Sequence, residues 1–375
     1  MITIPQAALA TKLARYASIA NNLCVSTLAA VRLTAGNGVT TITGTDMDQW
    51  LTTSCPEGEV HNPLDAVIPF KPFLTTIKAT PKGSMIRIEH ANNKLTITAA
   101  RSVSTIATID VADFPSRDPG APMFALSYKD RDAATLLGAM AKCKPHASDE
   151  STRPYLKGVF LHPTASGEWR AVALDGATFC ITSAPATPVT GSPSGEIIPT
   201  IALDWLAKHA AKATELDLSV ARTSSTTWAT FVAGDFIYTT KTVLGTFPDY
   251  HRFIPSQAQP QLYFDKKALL DAAAILNRGN KYSAAMKLDV DGERCLIAQV
   301  RGGETSTHRF TPKHTYDHLA DAPFVESYNP TLLMKCLRSL TGDTVKISRA
   351  KKGDPTVLSS PTDPETTVLL MPMRG

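Results

Sequence analysis

The chain has 375 residues, a formal net charge of +4 and a pI near 8.6, with 43% hydrophobic and 19% charged residues. This length predicts two or three globular domains, and the mild positive charge permits contact with a polyanion without requiring it. The six cysteines lie far apart with no CxxC spacing, which argues against a zinc site or a disulfide framework. Lys12 and Arg15 interrupt what would have to be an apolar leader, and no long apolar run follows, so we expect a cytoplasmic protein.

Six segments have the apolar periodicity of amphipathic helices, and they occur in pairs along the chain. The first helix of each pair is predicted to begin near Pro5, Arg131 and Lys266, and the second near Phe70, Ala202 and Pro330. Between the paired helices we expect a β-hairpin, whose turns would be Gly36-Asn37-Gly38, Ser166-Gly167-Glu168 and Asp291-Gly292-Glu293. Further strands are predicted within residues 95–111, 216–240 and 345–370.

Equivalent elements recur at intervals of roughly 130 residues, so the chain is predicted to contain three copies of one β/α unit. Residues 115–122 and 248–260 are rich in proline and are expected to be linkers. The fold class is therefore α+β, with domains at 1–117, 123–248 and 258–375. Equivalent units placed head to tail can close into a ring, and two such chains would give six units with twelve helices.

The polar faces of the predicted helices carry mostly cations. They are Lys12, Arg15, Lys71, Lys78, Lys142, Lys208, Lys212, Lys266, Lys267, Lys335 and Arg338, against Asp132, Asp204 and Asp271 as the acidic residues. For any single helix, the simpler explanation is a solvated face. The same bias on six helices favours contact with phosphates, without reading of the bases.

Two stretches resemble a known family. Residues 234–255 form a strand that breaks at Gly245 and leaves through Phe247-Pro248, and the chain closes with Leu369-Leu370-Met371-Pro372-Met373-Arg374. Both are similar to the bacterial DNA polymerase III beta subunit, the sliding clamp family. Shorter matches, such as Thr41-Ile42-Thr43-Gly44-Thr45-Asp46, extend the resemblance over the whole chain.

The resemblance implies three repeated DNA-clamp domains and a head-to-tail homodimer, which is a six-domain ring with helices lining the channel. It further implies that the ring encircles duplex DNA without sequence specificity and binds DNA polymerase and clamp-loader subunits through short apolar peptide motifs. No catalysis, cofactor, metal or membrane is expected. Departures from the family suggest a divergent member: Thr200 and Ile201 replace basic residues, Pro154 replaces a common tyrosine, and Asn21-Asn22-Leu23 has no arginine.

The resemblance also implies functional residues. The peptide pocket would contain Leu156, Leu174, Gly176, Phe179, Pro248, Arg252, Phe253, Tyr282, Asn329, Leu332, Thr356, Leu369, Leu370, Met371, Pro372, Met373 and Arg374. DNA would be faced by Lys12, Arg15, Lys71, Lys78, Arg153, Tyr155, Lys208 and Lys212. Ile106 of one chain and Ile275 and Leu276 of the other would lie at the dimer interface. Taken singly, the apolar members would also be ordinary core residues.

Other interpretations remain beside this one. A monomeric clamp-like protein could bind clamp-binding peptides without encircling DNA, which the weakened DNA-facing positions favour. An enzyme has little support, because the Gly36-x-Gly38 pair lacks a third glycine and Asp46 with Asp48 lacks a partner. His314 and His318 have the spacing of metal ligands on a helix, but they lie in a polar, proline-bounded segment with no third ligand nearby.

Overall fold

The computed structural model describes residues 1–20, 24–185, 187, 189–255, 262–277, 285–291, 294–301, 304–310 and 324–373. The first repeat contains β1 (Ile2–Pro5), α1 (Gln6–Ala14), α2 (Ala17–Ala20), β2 (Ala30–Gly36), β3 (Val39–Thr45), β4 (Gln49–Ser54), β5 (Glu59–Val60), β6 (Leu64–Pro69), α3 (Phe70–Ala79), β7 (Met85–Ala91), β8 (Lys94–Ala99) and β9 (Ser102–Ala107).

The second repeat contains β10 (Ala121–Lys129), α4 (Asp130–Cys143), β11 (Gly158–Pro163), β12 (Trp169–Leu174), β13 (Thr178–Ala184), β14 (Val189–Gly191), β15 (Glu196–Pro199), α5 (Thr200–His209), β16 (Glu215–Arg222), β17 (Thr227–Ala233) and β18 (Phe236–Lys241). The third contains β19 (Leu262–Asp265), α6 (Lys266–Asn277), β20 (Met286–Asp291), β21 (Arg294–Arg301), β22 (Glu304–Phe310), β23 (Phe324–Tyr328), α7 (Pro330–Ser339), β24 (Thr344–Ser348), β25 (Thr356–Ser360) and β26 (Asp363–Leu370).

The six predicted helices are therefore confirmed as α1, α3, α4, α5, α6 and α7, each beginning within two residues of the predicted start. Two of the predicted hairpin turns are also confirmed. Asn37 and Gly38 both have positive φ, which suits the tight turn between β2 and β3, and Gly167 has φ +86° in the loop between β11 and β12. The third turn, at Gly292 and Glu293, lies outside the described residues.

The chain divides into two compact units. The first comprises Met1–Ala134, Thr187–Ser194 and Ile201–Thr242, and the second comprises Thr135–Ala186, Gly195–Thr200 and Val243–Gly375. The first unit has a nine-stranded sheet in the order β14-β10-β16-β17-β18-β4-β3-β2-β6 and a five-stranded sheet in the order β5-β1-β7-β8-β9. The second has an eight-stranded sheet, β15-β11-β12-β13-β26-β25-β24-β19, and a four-stranded sheet, β22-β21-β20-β23.

Each long sheet continues from one repeat into the next through one antiparallel strand pair. In the first unit β18 of the second repeat pairs with β4 of the first, with Thr239 opposite Trp50. In the second unit β26 of the third repeat pairs with β13 of the second, with Leu369 opposite Phe179. The ladder hydrogen bonds of these pairs satisfy strand edges that would otherwise be exposed.

Helices pack on the sheets through apolar faces. In the first unit α1 packs against α3, and Leu9, Leu13, Phe73 and Ile77 are fully buried. In the second unit α6 packs against α7 in the same way. Within the described residues, no helix has both the length and the apolar character needed to cross a bilayer.

Candidate functional site

An apolar groove opens on the second unit beside the β13–β26 pair. It has a volume of about 190 Å³ and is lined by Leu174, Gly176, Ala177, Thr178, Phe179, Phe253, Pro355, Leu369 and Met371. Strand alternation accounts for two residues of its floor, because Phe179 and Leu369 are directly opposed and project from the same face of the sheet. The side chains that line the groove are nearly all apolar, so a ligand would have to bury apolar surface here.

A tight turn between β12 and β13 forms one end of the groove. Asp175 Oδ1 accepts hydrogen bonds from the backbone N–H groups of Ala177 (2.9 Å) and Thr178 (2.6 Å), and Gly176 takes φ +89° between them. Asp175 Oδ2 accepts from Thr178 Oγ1 and, at 2.6 Å, from Lys335 Nζ on α7. Burial alone would raise the pKa of Asp175, but these hydrogen bonds outweigh it and hold the pKa below its ordinary value.

Two large apolar side chains remain exposed at the rim. Phe253 ends a short 3-10 helix at residues 250–253 and is 46% exposed, and Met371 is 43% exposed. The backbone N–H of Met371 donates to the carbonyl of Ala177 (2.9 Å), which ties the segment after β26 to the turn. Exposed apolar groups beside a buried apolar floor are typical of a binding surface, because a partner gains by covering them. The unbranched thioether of Met371 can adapt to different partners.

An aromatic layer lies behind the groove and keeps its floor in place. Phe160 stacks on Phe247 with ring centroids 4.7 Å apart, and Phe179 contacts Tyr250. His162 Nε2 and the Tyr250 hydroxyl lie 2.9 Å apart. Burial lowers the pKa of His162, so the ring is neutral near pH 7 and one ring nitrogen can accept a hydrogen bond.

Six of the predicted pocket residues line this groove together: Leu174, Gly176, Phe179, Phe253, Leu369 and Met371. Ala177, Thr178 and Pro355 also line it but are absent from the prediction. Ala177 and Thr178 could have been inferred, since they complete the turn that Asp175 and Gly176 begin. For Pro355 the sequence carries no signal, because a β24–β25 loop far along the chain brings it there.

The other predicted pocket residues that the structure describes do not line the groove. Leu156 belongs to the buried cluster behind it, Leu370 is completely buried, and the Thr356 hydroxyl lies 2.7 Å from that of Tyr328. Asn329 caps α7 through its side chain, and Leu332, Pro248, Pro372 and Met373 are partly buried. Arg252 forms an exposed ion pair with Asp249 at 3.0 Å. Tyr282 and Arg374 lie outside the described residues.

The residues predicted to face DNA fall into three groups. Lys12 and Arg15 both pair with Asp235, and the Lys12 side chain is only 8% exposed. Lys71, Lys78, Lys208 and Lys212 are exposed, and none of them has an ion pair within the described part of the chain. Of the remaining two, Arg153 lies 3.3 Å from Glu150, and Tyr155 is half-buried against the cluster behind the groove.

The charges of Lys12 and Arg15 are therefore matched by Asp235 within the first unit. Burial alone would raise the pKa of Asp235, but hydrogen bonds from Lys12 and Arg15 lower it below its ordinary value. Lys142 forms a comparable pair with Asp363 at 2.7 Å, and Lys335 pairs with Asp175. These lysines were counted among the cations of the helix faces, yet each has its charge matched within its own unit.

The predicted interface residues lie on two separate elements, one in each unit. β9 is an edge strand of the five-stranded sheet, where Ile106 is nearly buried and Val103, absent from the prediction, is 66% exposed. On α6, Ile275 is 43% exposed, whereas Leu276 is buried in the core. An edge strand with an exposed valine and a helix with an exposed isoleucine are both suited to pairing with another chain.

No group of three His, Cys, Asp or Glu side chains that could hold a metal is found within the described ranges. His314 and His318 lie outside those ranges. Asp46, which forms an acidic pair with Asp48 in the sequence, stabilises the turn before β4. Its carboxylate accepts hydrogen bonds from the backbone of Asp48 and Gln49, as Asp175 does in the second repeat.

Comparisons with known proteins show which families and structures this chain is similar to. Residues 1–118 match the family model for the DNA polymerase III beta subunit, N-terminal domain. The beta sliding clamp of Caulobacter vibrioides is 26% identical over 387 aligned positions, which cover 100% of this chain and 99% of the relative. The beta sliding clamp of Escherichia coli is 24% identical, with 91% of this chain and 90% of the relative covered.

Solved structures give the same fold. A beta sliding clamp of Caulobacter crescentus with PEG bound has a TM-score of 0.89 and 24% identity, covering 100% of this chain and 99% of that chain. A sliding clamp of Pseudomonas aeruginosa bound to griselimycin has a TM-score of 0.88 and 21% identity at the same coverage. The predicted α+β clamp fold with three repeats is thus confirmed. Residues 1–118 thus match the DNA polymerase III beta subunit N-terminal domain model, and the chain as a whole is similar to bacterial beta sliding clamps.

Proposed function

We propose that this protein is a DNA sliding clamp, a processivity factor that tethers DNA polymerase and other replication or repair proteins to duplex DNA. The observation that carries the proposal is the apolar groove at the β13–β26 pair, in a chain related to beta sliding clamps over its full length. Sliding clamps are not enzymes, so the activity is one of binding.

The groove is proposed to bind a short apolar peptide motif from a polymerase or clamp-loader subunit. Phe179, Leu174 and Leu369 offer a buried floor, while Phe253 and Met371 are exposed at the rim and would be covered on binding. The scarcity of polar groups in the lining means that apolar side chains of the peptide would supply most of the affinity.

The ring is proposed to form from two chains, each contributing three domains with limits at 1–117, 123–248 and 258–375. β9 of one chain would lie beside α6 and the neighbouring sheet edge of the other, so that Val103, Ile106 and Ile275 become buried. The exposed lysines Lys71, Lys78, Lys208 and Lys212 would contact DNA phosphates without reading sequence. The protein would act on DNA in the cytoplasm.

A second candidate is a monomer that binds clamp-binding peptides without encircling DNA. The neutralisation of Lys12 and Arg15 by Asp235 favours it, because two of the predicted DNA contacts are used internally. The exposed Val103 and Ile275 oppose it, since a monomer would leave both in water.

Sedimentation equilibrium at micromolar and nanomolar concentrations separates the two candidates. A clamp should have twice the mass of the 40.2 kDa chain, and the dimer should persist on dilution. The dimer should then be retained on closed circular DNA and lost when the circle is cut. A monomeric mass at every concentration would refute the ring and leave the peptide-binding monomer.

A further inference from the structure

A second pocket lies in the first unit, beside the pair of strands β4 and β18. In the internal repeat this pair corresponds to β13 and β26, which lie beside the apolar groove. The second pocket has a volume of about 270 Å³, and it is lined by Met47, Trp50, Ser116, Arg117, Asp118, Thr223, Ser224, Ser225, Thr226, Trp228 and Lys241. We refer to it as the β4–β18 pocket. None of its residues is among those that the sequence singles out as functional.

The internal repeat relates this pocket to the apolar groove residue by residue. Trp50 is the second residue of β4 and faces Thr239, as Phe179 is the second residue of β13 and faces Leu369. In this register Lys241 occupies the position of Met371. At the junctions the correspondence is only approximate, because Arg117 is the third residue after Phe114 and Phe253 is the sixth after Phe247.

The turns at the ends of the two pockets are also the same. Asp46 Oδ1 accepts from the backbone N–H groups of Asp48 (3.0 Å) and Gln49 (2.6 Å), which repeats the bonds that Asp175 makes to Ala177 and Thr178. Met47 has φ +76° at the position where Gly176 has φ +89°. The left-handed conformation costs a methionine more than a glycine, yet it is kept here and presents an exposed apolar side chain to the pocket.

The chemistry of the β4–β18 pocket differs from that of the apolar groove, because charged and hydroxyl side chains line it beside Met47, Trp50 and Trp228. Trp50 Nε1 is buried and has no hydrogen-bond partner among the described residues. Arg117 lies over the Trp228 ring at 5.2 Å from its centroid, and no hydrogen bond or ion pair to Arg117 is found in the described part of the chain. Lys241 also lies over this ring, at 5.6 Å, and pairs with Asp48 at 2.7 Å.

The two carboxylates at this pocket are already engaged. Asp48 pairs with Lys241, and Asp118 Oδ1 accepts from the backbone N–H of Gly120 at 2.9 Å. The Arg117 guanidinium, which Asp118 influences through its charge, therefore remains as a donor for a ligand. A ligand carboxylate would accept a charge-assisted bond from Arg117, and this would be the strongest single contact. Met47 and Trp50 would cover an adjacent apolar side chain.

We propose that the β4–β18 pocket is a second peptide-binding site, which takes a segment of a partner protein carrying a carboxylate next to an aromatic or aliphatic side chain. The class of occupant rests on the peptide-binding function proposed for the apolar groove, whereas the existence of a site rests on the geometry above. Single-stranded nucleic acid fits less well. Trp228 is buried under Arg117 and Lys241 and cannot stack on a base.

The test uses the full chain with isotope-labelled tryptophan and the probe peptide acetyl-Glu-Phe-Leu-Glu-amide, read by NMR of the indole N–H groups. The chain has four tryptophans, of which Trp50 and Trp228 line the pocket and Trp169 and Trp205 do not. We expect saturable shifts of the Trp50 and Trp228 signals alone. The neutral peptide acetyl-Gln-Phe-Leu-Gln-amide and the variant Arg117→Gln should each bind about tenfold more weakly or worse.

Arg101→Gln is the matched control, because it removes the same charge from an exposed turn between β8 and β9 and should leave the titration unchanged. The proposal is overturned if neither pocket signal moves, if the neutral peptide binds equally well, or if a short oligothymidylate shifts the pocket signals and the acidic peptide does not. Dimer mass and binding of an apolar peptide to the apolar groove are measured separately. Failure of the second site is therefore distinguishable from failure of the clamp function.

Discussion

Lys335 Nζ lies 2.6 Å from Asp175 Oδ2, so α7 holds in place the turn that ends the apolar groove. Both side chains are mostly buried, which makes their pairing stronger than that of a surface ion pair. Lys335 is one of the cations on the helix faces, but its charge pairs with Asp175 at the end of the groove. The proposed binding of a peptide in the groove would thereby depend on the position of α7.

Lys335→Met should weaken binding of an apolar peptide about fivefold or more, because the turn at Gly176 loses one of its restraints and Asp175 is left half-buried without a cation. Arg338→Met is the control, since it removes an exposed cation from the same helix. Fluorescence titration of a labelled peptide against both variants gives the comparison. Equal affinities in the two variants would show that the ion pair does not restrain the groove.

His146 predicts a pH dependence of stability in the second unit. It is completely buried, with Nε2 2.9 Å from the Ser339 hydroxyl, and burial together with the nearby charge of Lys335 lowers its pKa to about 3. The unfolded chain takes up a proton below about pH 6.5, which the folded chain does not, so stability falls as pH drops from about 6.5 towards 3.

His146→Gln should remove that contribution, which amounts to about 2 kcal/mol of the change in unfolding free energy between pH 7 and 5. Burial also lowers the pKa values of His162 and His209. Part of the dependence of the unfolding free energy on pH should therefore remain in both the parent chain and His146→Gln. Urea unfolding at the two pH values measures the difference. A parent-like slope in His146→Gln would contradict the assignment.

DNA binding should depend on the exposed helix lysines and much less on the paired ones. Lys208→Ala and Lys212→Ala should each reduce the slope of log affinity against log salt by about 0.9, provided that each contacts a phosphate. Lys12→Ala should lower the thermal midpoint instead, because it removes a partner of the partly buried Asp235. Titration of each variant with duplex DNA at several salt concentrations measures this slope. If the slope of Lys12→Ala were as small as that of Lys208→Ala, the distinction between paired and exposed lysines would be refuted.

Dimerisation should depend on the exposed apolar residues of β9 and α6. Val103→Lys and Ile275→Asp should each raise the dimer dissociation constant by at least about thirtyfold, because a charge would enter an apolar contact. Ile237→Asp is the control, since Ile237 is similarly exposed on β18, inside a sheet and away from both elements. Sedimentation equilibrium of the three variants decides whether the chosen elements meet the second chain.

Much of the fold could be predicted from the sequence because local signals repeat. Helix periodicity gave the starts of α1 and α7, and the Asn37-Gly38 turn gave the first hairpin. The pairing of β4 with β18 could not be predicted, since their partners lie almost 190 positions apart and alternation alone does not choose a neighbour. The ion pair between Lys12 and Asp235 could not be predicted for the same reason, because Asp235 reaches Lys12 through that pairing.

The apolar groove was partly predictable. Residues such as Phe179 and Met371 could be placed through resemblance to a family, whereas Leu370 looked equivalent to its neighbour Leu369 until the strand register separated them. Period-two alternation in β26 is enough to turn one leucine towards the groove and bury the next one elsewhere. Pro355 reaches the site through the loop before β25, and its position depends on tertiary structure alone.

The strand pair between Phe179 and Leu369 has a mechanical consequence. A groove built on a continuous hydrogen-bonded ladder cannot widen without shearing the sheet, so its shape should hardly change when different partners occupy it. Adaptation would then come from the rim, where Phe253 and Met371 can change rotamer freely. The relative affinities of competing partners would then depend on how well each one fits this rigid floor. One partner could replace another without a rearrangement of the clamp backbone.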